Sequence, residues 1–242
     1  MNEITDLSAE QLAENIAHVR TRMAEAAQKV GRNPAEITLV AVSKTKPVEL
    51  VEMAYNLGVT DFGENRVQEA LPKVEHFHPE GLRWHLIGHL QSNKAGKVVG
   101  PFTCIHSVDS LHLAQVLNRH ALEQDTQQTI LLQVNVAGEA SKEGIAPEDA
   151  LTVARQIAEL PALQIAGLMT VAPLVNDPEE VRPVFRGLRL LQDRLREEIP
   201  NGTWTQISMG MTDDYMMAIE EGATLVRVGR AIFGQRVKPM RG

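Results

Sequence analysis

The run Ile37-Thr38-Leu39-Val40-Ala41-Val42-Ser43 is mostly apolar and partly β-branched, and Lys44-Thr45-Lys46-Pro47 follows it directly. The run reads as a buried strand, and Pro47 as the opening of a helical pattern. Lysine is almost never buried unless it is paired or chemically used. Placed where a core strand runs out, a lysine can present its amine to a pocket, and such an amine can form a Schiff base with an aldehyde. Two lysines compete for that place. Lys46 precedes proline, which pushes it into extended loop geometry. Lys44 is nearer the strand and shares the parity of Val40 and Val42, so Lys44 is the favoured amine.

Outward from this unit the pattern repeats. Strand-like runs occupy residues 37–43, 59–63, 83–87, 103–106, 129–136, 164–169, 205–207 and 225–228. Helical periodicity marks 48–57, 111–122, 147–160 and 183–199. A further helix leads the chain, with Leu12, Ile16, Val19, Met23, Ala26 and Val30 on one face. Ser8 with Gln11 forms a capping-box signature at its start, and Gly31 suits its stop. Regular strand–helix alternation predicts a parallel sheet with right-handed crossovers. Eight repeats plus the leading helix predict one α/β domain over 1–242, a closed (β/α)8 TIM barrel. A doubly wound open sheet is the alternative. No Gly-x-Gly-x-x-Gly follows the first strand, which counts against a dinucleotide site.

The 242 residues suit a barrel of this kind, and 43% hydrophobic content supplies its core. A net charge of −7 opposes a broad electrostatic hold on nucleic acid. The single cysteine, Cys104, excludes a disulfide scaffold and a multi-cysteine zinc site, and reads as a small packed hydrophobe. The N-terminal stretch carries acids and no apolar segment, so no secretory signal is expected. No run is long and apolar enough for a membrane span. The expectation is a cytoplasmic monomer.

A barrel's active site lies at the C-terminal ends of its strands. Here those ends carry Lys44, Glu64-Asn65, His85 to Gly88, Asn135, Thr170, Ser208-Met209-Gly210 and Arg227 to Arg230. Phosphate is commonly held after strands seven and eight. Ser208 can donate a hydroxyl, Gly210 lets a ligand approach the backbone, and Gly229 and Arg230 can aim backbone N–H groups at an anion. Arg227 sits in an apolar run and must be paired or bind a ligand. One reading is a structural ion pair; the other sets it against a ring nitrogen. Glu64 is a candidate general base. His76 and His78 read as loop residues, and Asp213-Asp214 as the cap or start of a helix. His85 and His89 are four apart, a spacing that by itself means little for a metal. No His-Glu-x-x-His and no Walker motif occurs.

Taken in order, Val42-Ser43-Lys44-Thr45-Lys46-Pro47, Phe62-Gly63-Glu64-Asn65, Trp84-His85-Leu86-Ile87-Gly88, Leu90-Gln91-Ser92-Asn93-Lys94, Ile105-His106-Ser107-Val108-Asp109, Gly167-Leu168-Met169-Thr170, Ser208-Met209-Gly210-Met211 and Val226-Arg227-Val228-Gly229 closely resemble the YggS/PROSC family of pyridoxal phosphate homeostasis proteins. The resemblance runs from about residue 10 to 236. It implies a barrel of the alanine racemase N-terminal type, a fold-type III protein of pyridoxal 5′-phosphate (PLP). It implies PLP held covalently on Lys44, with phosphate on Ser208, Gly229 and the Arg230 amide. Arg227 would face the pyridine nitrogen, and Asn65, His85 and Met209 would line the pocket. The implied role is PLP (vitamin B6) homeostasis as a carrier or regulator, with PLP-dependent enzymes as recipients and no established turnover reaction. Many members carry threonine or serine where this chain has Arg230.

The rival function is a PLP-dependent amino-acid racemase. Such an enzyme needs two opposed bases. In alanine racemases the second is a tyrosine from a β-rich domain that this chain is not expected to contain. The two tyrosines here are Tyr55, in a predicted helix, and Tyr215, just after strand seven. Arginine at the ring nitrogen would also weaken the cofactor as an electron sink.

Overall fold

Eight parallel strands close on themselves in the computed structural model, which describes residues 7–138, 143–173, 175 and 177–234. They are β1 (Thr38–Val42), β2 (Asp61–Glu64), β3 (Arg83–Leu86), β4 (Cys104–Val108), β5 (Gln128–Gln133), β6 (Leu163–Met169), β7 (Gln206–Ser208) and β8 (Leu225–Val228). Each strand pairs with the next in chain order, and β8 returns to β1 with Thr38 opposite Leu225 and Val40 opposite Arg227. The expected barrel is therefore the observed one. The far ends of the 1–242 span lie outside the described residues.

The helices are α1 (Ala9–Lys29), α2 (Val48–Asn56), α3 (Val67–His76), α4 (Leu111–Glu123), α5 (Ala150–Ala158), α6 (Arg182–Glu198), α7 (Tyr215–Glu220) and α8 (Arg230–Phe233). α3 had no counterpart in the sequence pattern, because Pro72 interrupts it. Burial of Val67, Ala70 and Val74 holds the helix despite the missing hydrogen bond, and His76 ends it rather than lying in a loop. Between β3 and β4 a 3-10 helix, Ser92–Lys97, replaces an α-helix. The fifth helix starts at Ala150, after a turn at 147–149, rather than at Pro147.

Alternation along each strand sorts side chains into two cores. Val40, Cys104, Leu131, Ala166, Met169 and Leu225 meet inside the barrel. Ala41, Phe62, Leu86, Ile105, Leu132, Leu168 and Val226 face outward and pack on the helices, against Val51, Ala70, Leu117, Ile157, Leu188 and Ala218 among others. Cys104 thus belongs to the inner apolar layer, and burial pushes its thiol pKa far up. α1 forms as expected: the Ser8–Gln11 box closes its first turn, and Leu12, Ile16, Val19, Met23 and Ala26 make one buried stripe. It is tied to the α7 region by Lys29 to Glu220 (2.8 Å) and by Arg32 donating to the Ile219 and Ala223 carbonyls. Among the described residues no helix is long and apolar enough to cross a membrane.

Candidate functional site

The turn that carries Lys44 is built by its neighbours. Ser43 N–H bonds the Gly63 carbonyl (3.0 Å), and Lys46 N–H bonds the Ser43 carbonyl (3.0 Å). Thr45 between them takes a left-handed φ of 64°. Beneath the turn, Glu64 Oε1 accepts from the Ser43 hydroxyl (2.7 Å) and from Lys73 Nζ (2.7 Å). Lys73 Nζ also donates to the Ser43 carbonyl (2.8 Å). Glu64 is fully buried in this clamp, so it positions the turn rather than serving as a base. Lys44 is half-buried, and so is Lys46, whose pKa burial lowers. Next to the clamp, at the end of β2, Asn65 Oδ1 is buried with no hydrogen-bond partner.

On the side where β8 adjoins β1, Arg227 lies near the end of β8, and Ser208 ends β7 one strand further on, both buried. Arg227 NH1 donates to Ser208 Oγ (2.6 Å), and NH2 donates to the Thr170 carbonyl (2.8 Å). Its partners are a hydroxyl and a carbonyl, not the carboxylate of a structural ion pair. Burial pushes the guanidinium pKa down to about 10, with Asp214 partly offsetting. Gly229 forms the cap of α8, whose first N–H groups, Arg230 among them, have no acceptor within the helix. The Arg230 guanidinium is engaged at the rim by Asp213.

The Met209 side chain packs in the outer shell, and its N–H bonds the Leu225 carbonyl (3.2 Å), because strand parity turns it away from the lumen. Gly210 has φ 91°, and a Cβ there would lie 2.5 Å from Ala218 Cβ and 2.9 Å from Tyr215 Cα. The packing of α7 therefore already requires glycine at this position.

His85 sits deeper than the mouth, in a polar thread through the lumen. Arg83 grips Asp61 with two bonds (2.7 and 2.6 Å). Asp61 Oδ1 is 3.0 Å from His85 Nε2, and His85 Nδ1 is 2.9 Å from His106 Nε2. His106 Nδ1 is 2.9 Å from Ser208 Oγ, which meets Arg227. Burial works to raise the Asp61 pKa, but hydrogen bonds from His85, Arg83 and Thr60 outweigh it and hold the carboxylate well below its usual range. Burial, with His85 and the Arg227 guanidinium beside it, pushes the His106 pKa well down, so His106 is neutral. His85, Cys104 and His106 present ligand atoms within 4.8 Å of one another. Every ring nitrogen among them already has a partner, so hydrogen bonds account for the cluster. His89 is far from this arrangement in environment: it lies at the surface against Glu143 (2.9 Å) and Asp109 (3.4 Å). Asp61 and His106 were missed as site residues. The available signal was a histidine of inward parity within an apolar strand.

Neither tyrosine stands at the mouth. Tyr55 OH donates to the Glu80 carbonyl, before β3, and Tyr215 is buried in the outer shell beside α1.

The barrel thus carries a lysine turn after its first strand and a buried hydroxyl–guanidinium pair on its last two. The family model for the alanine racemase N-terminal domain covers residues 7–237. The pyridoxal phosphate homeostasis protein of Aquifex aeolicus is 42% identical over 223 residues, 92% of this chain and 97% of that protein. The solved structure of PipY from Synechococcus elongatus with PLP bound is 39% identical, with a TM-score of 0.82, covering 93% of this chain and all of that one. The chain belongs to the family of pyridoxal phosphate homeostasis proteins. An alanine racemase from Clostridium difficile shares the fold alone, at 14% identity and a TM-score of 0.73, and this chain spans 58% of its length.

Proposed function

We propose that this chain binds PLP at the barrel mouth, covalently through Lys44, and serves PLP homeostasis as a carrier or regulator. One observation carries the reading: the clamped Lys44 turn and the Ser208–Arg227 pair end strands of the same barrel at the same rim. The residues fit the cofactor. Asn65 Oδ1 lacks a donor, which a ring hydroxyl can provide. The open N–H groups at the start of α8 and the Ser208 hydroxyl suit a phosphate. PLP supplies an aldehyde, and its condensation with the Lys44 amine releases one water. Arg227 would face the ring nitrogen, where a cation would disfavour its protonation and limit carbanion chemistry. Racemisation would require a second base opposite Lys44, and the two tyrosines are turned away. We place the protein in the cytoplasm as a monomer that hands cofactor to PLP-dependent enzymes.

Borohydride reduction of the PLP-loaded protein, followed by intact mass and peptide mapping, tests the assignment. The expected result is one label on Lys44, lost in Lys44→Ala and kept in Lys46→Ala. Label on Lys46, or on no lysine, overturns it. Interconversion of D- and L-alanine at enzyme-like rates would replace the carrier with a racemase. Light scattering of the loaded protein checks the monomer.

A further inference from the structure

The thread from Arg227 to Asp61 has a direction, and the direction decides what Ser208 can do. Asp61 is ionised, so His85 Nε2 must carry a hydrogen and donate to it. Arg227 can only donate, so Ser208 Oγ accepts from it. Between these ends His106 is neutral and carries one hydrogen, on either nitrogen. With the hydrogen on Nε2, His106 donates to His85 Nδ1, and the Ser208 hydroxyl must donate to His106 Nδ1. The hydroxyl then points into the barrel and has nothing to give an anion at the mouth. With the hydrogen on Nδ1, His106 donates to Ser208 and accepts from His85 Nδ1. Ser208 then accepts twice and its own hydrogen is released toward the mouth, while His85 becomes an imidazolium against Asp61.

We propose that Asp61, His85 and His106 are positioning residues that aim the Ser208 hydroxyl, and that binding a phosphate through this hydroxyl takes up one proton. The inference rests on the reading that the phosphate meets Ser208. The change balances: the Ser208 hydrogen passes to His106 Nδ1, the His106 Nε2 hydrogen passes to His85 Nδ1, and one proton from solution refills the Ser208 oxygen. The net gain is one proton and one positive charge, lodged between Asp61 and His106. The groups that face the thread are Arg83 on β3, Asp61 on β2, Cys104 on β4 and Arg227 on β8, with Asp214 acting on Arg227 from the start of α7. Of these, Asp61 is the carboxylate in contact with His85, and it is what stabilises the cation there.

The probe is 4′-deoxypyridoxine 5′-phosphate, which has the phosphate and ring but no aldehyde, so no imine proton confuses the count. Binding to the full chain is followed by calorimetry in buffers of different ionisation enthalpy, from about pH 7.5 to 8.5, where the phosphate is a dianion. Uptake of about one proton is expected, with affinity falling about tenfold per pH unit. His85→Gln, which keeps a donor and an acceptor but cannot be charged, should abolish the uptake. In wild type, ¹⁵N shifts of the histidine rings should move the His106 hydrogen from Nε2 to Nδ1 on binding, a readout that needs no variant to fold. If the probe binds, Ser208→Ala weakens it, and yet no proton is taken up and the His106 tautomer stays put, the relay is wrong while the phosphate site survives. If the probe binds and Ser208→Ala leaves its affinity unchanged, the phosphate does not meet Ser208 and the relay loses its purpose. No binding at all overturns both.

Discussion

Lys73→Met removes the ammonium from the clamp under the Lys44 turn. The pair is sealed: the Glu64 side chain has no exposure and that of Lys73 has 11%. After substitution, Glu64 Oε1 keeps only the Ser43 hydroxyl, and Oε2 already lacks a partner. Breaking a buried ion pair from one side costs about 3–5 kcal/mol, because the remaining charge is stranded. For a domain of this size that is a fall in Tm of about 6–20 °C. Urea titration at pH 7 measures the loss directly. Converting Glu64 to Met in the same chain should restore much of the loss, since two apolar side chains strand no charge. A loss below about 1 kcal/mol would refute the argument that this pair is desolvated. The Ser43 carbonyl also loses its Lys73 donor, so the folded variant should hold PLP more weakly at low temperature.

Ser208→Ala should cost about 1.5–3 kcal/mol of PLP affinity, measured by equilibrium dialysis, and Arg230→Ala clearly less, because the Arg230 side chain is spent on Asp213. Gly167→Ala should leave little folded protein by circular dichroism: φ is 154°, and a Cβ would sit 1.7 Å from the Gln206 carbonyl oxygen, backbone that cannot swing away. Asp61 has its folded pKa held below the unfolded value, so it contributes stability that is present above about pH 4 and lost as pH falls further. Asp61→Asn should therefore lower stability at pH 7 and flatten its acid decline, read from urea midpoints between about pH 2 and 6.

The barrel was legible in the sequence because its causes are local. Short continuous apolar runs such as 37–43, periodic helices such as α1, and the proline and glycine stops between them depend on neighbours in the chain. The place of Lys44, a charge just past the end of a core strand, was legible for the same reason. Other features depended on residues far apart in sequence. α3 forms in spite of Pro72 because the barrel wall buries one of its faces. Met209 turns outward and Gly210 serves α7 because pairing with β8 sets the parity of β7's end. Glu64 looked like a base until Lys73 and Ser43 enclosed it. The thread needs Asp61, His85, His106, Ser208 and Arg227 from five strands, and no spacing in the chain announces it. Hydrophobic period is a property of consecutive residues, whereas the polarity of a hydrogen-bonded chain exists only once closure of the barrel brings its members within about 3 Å.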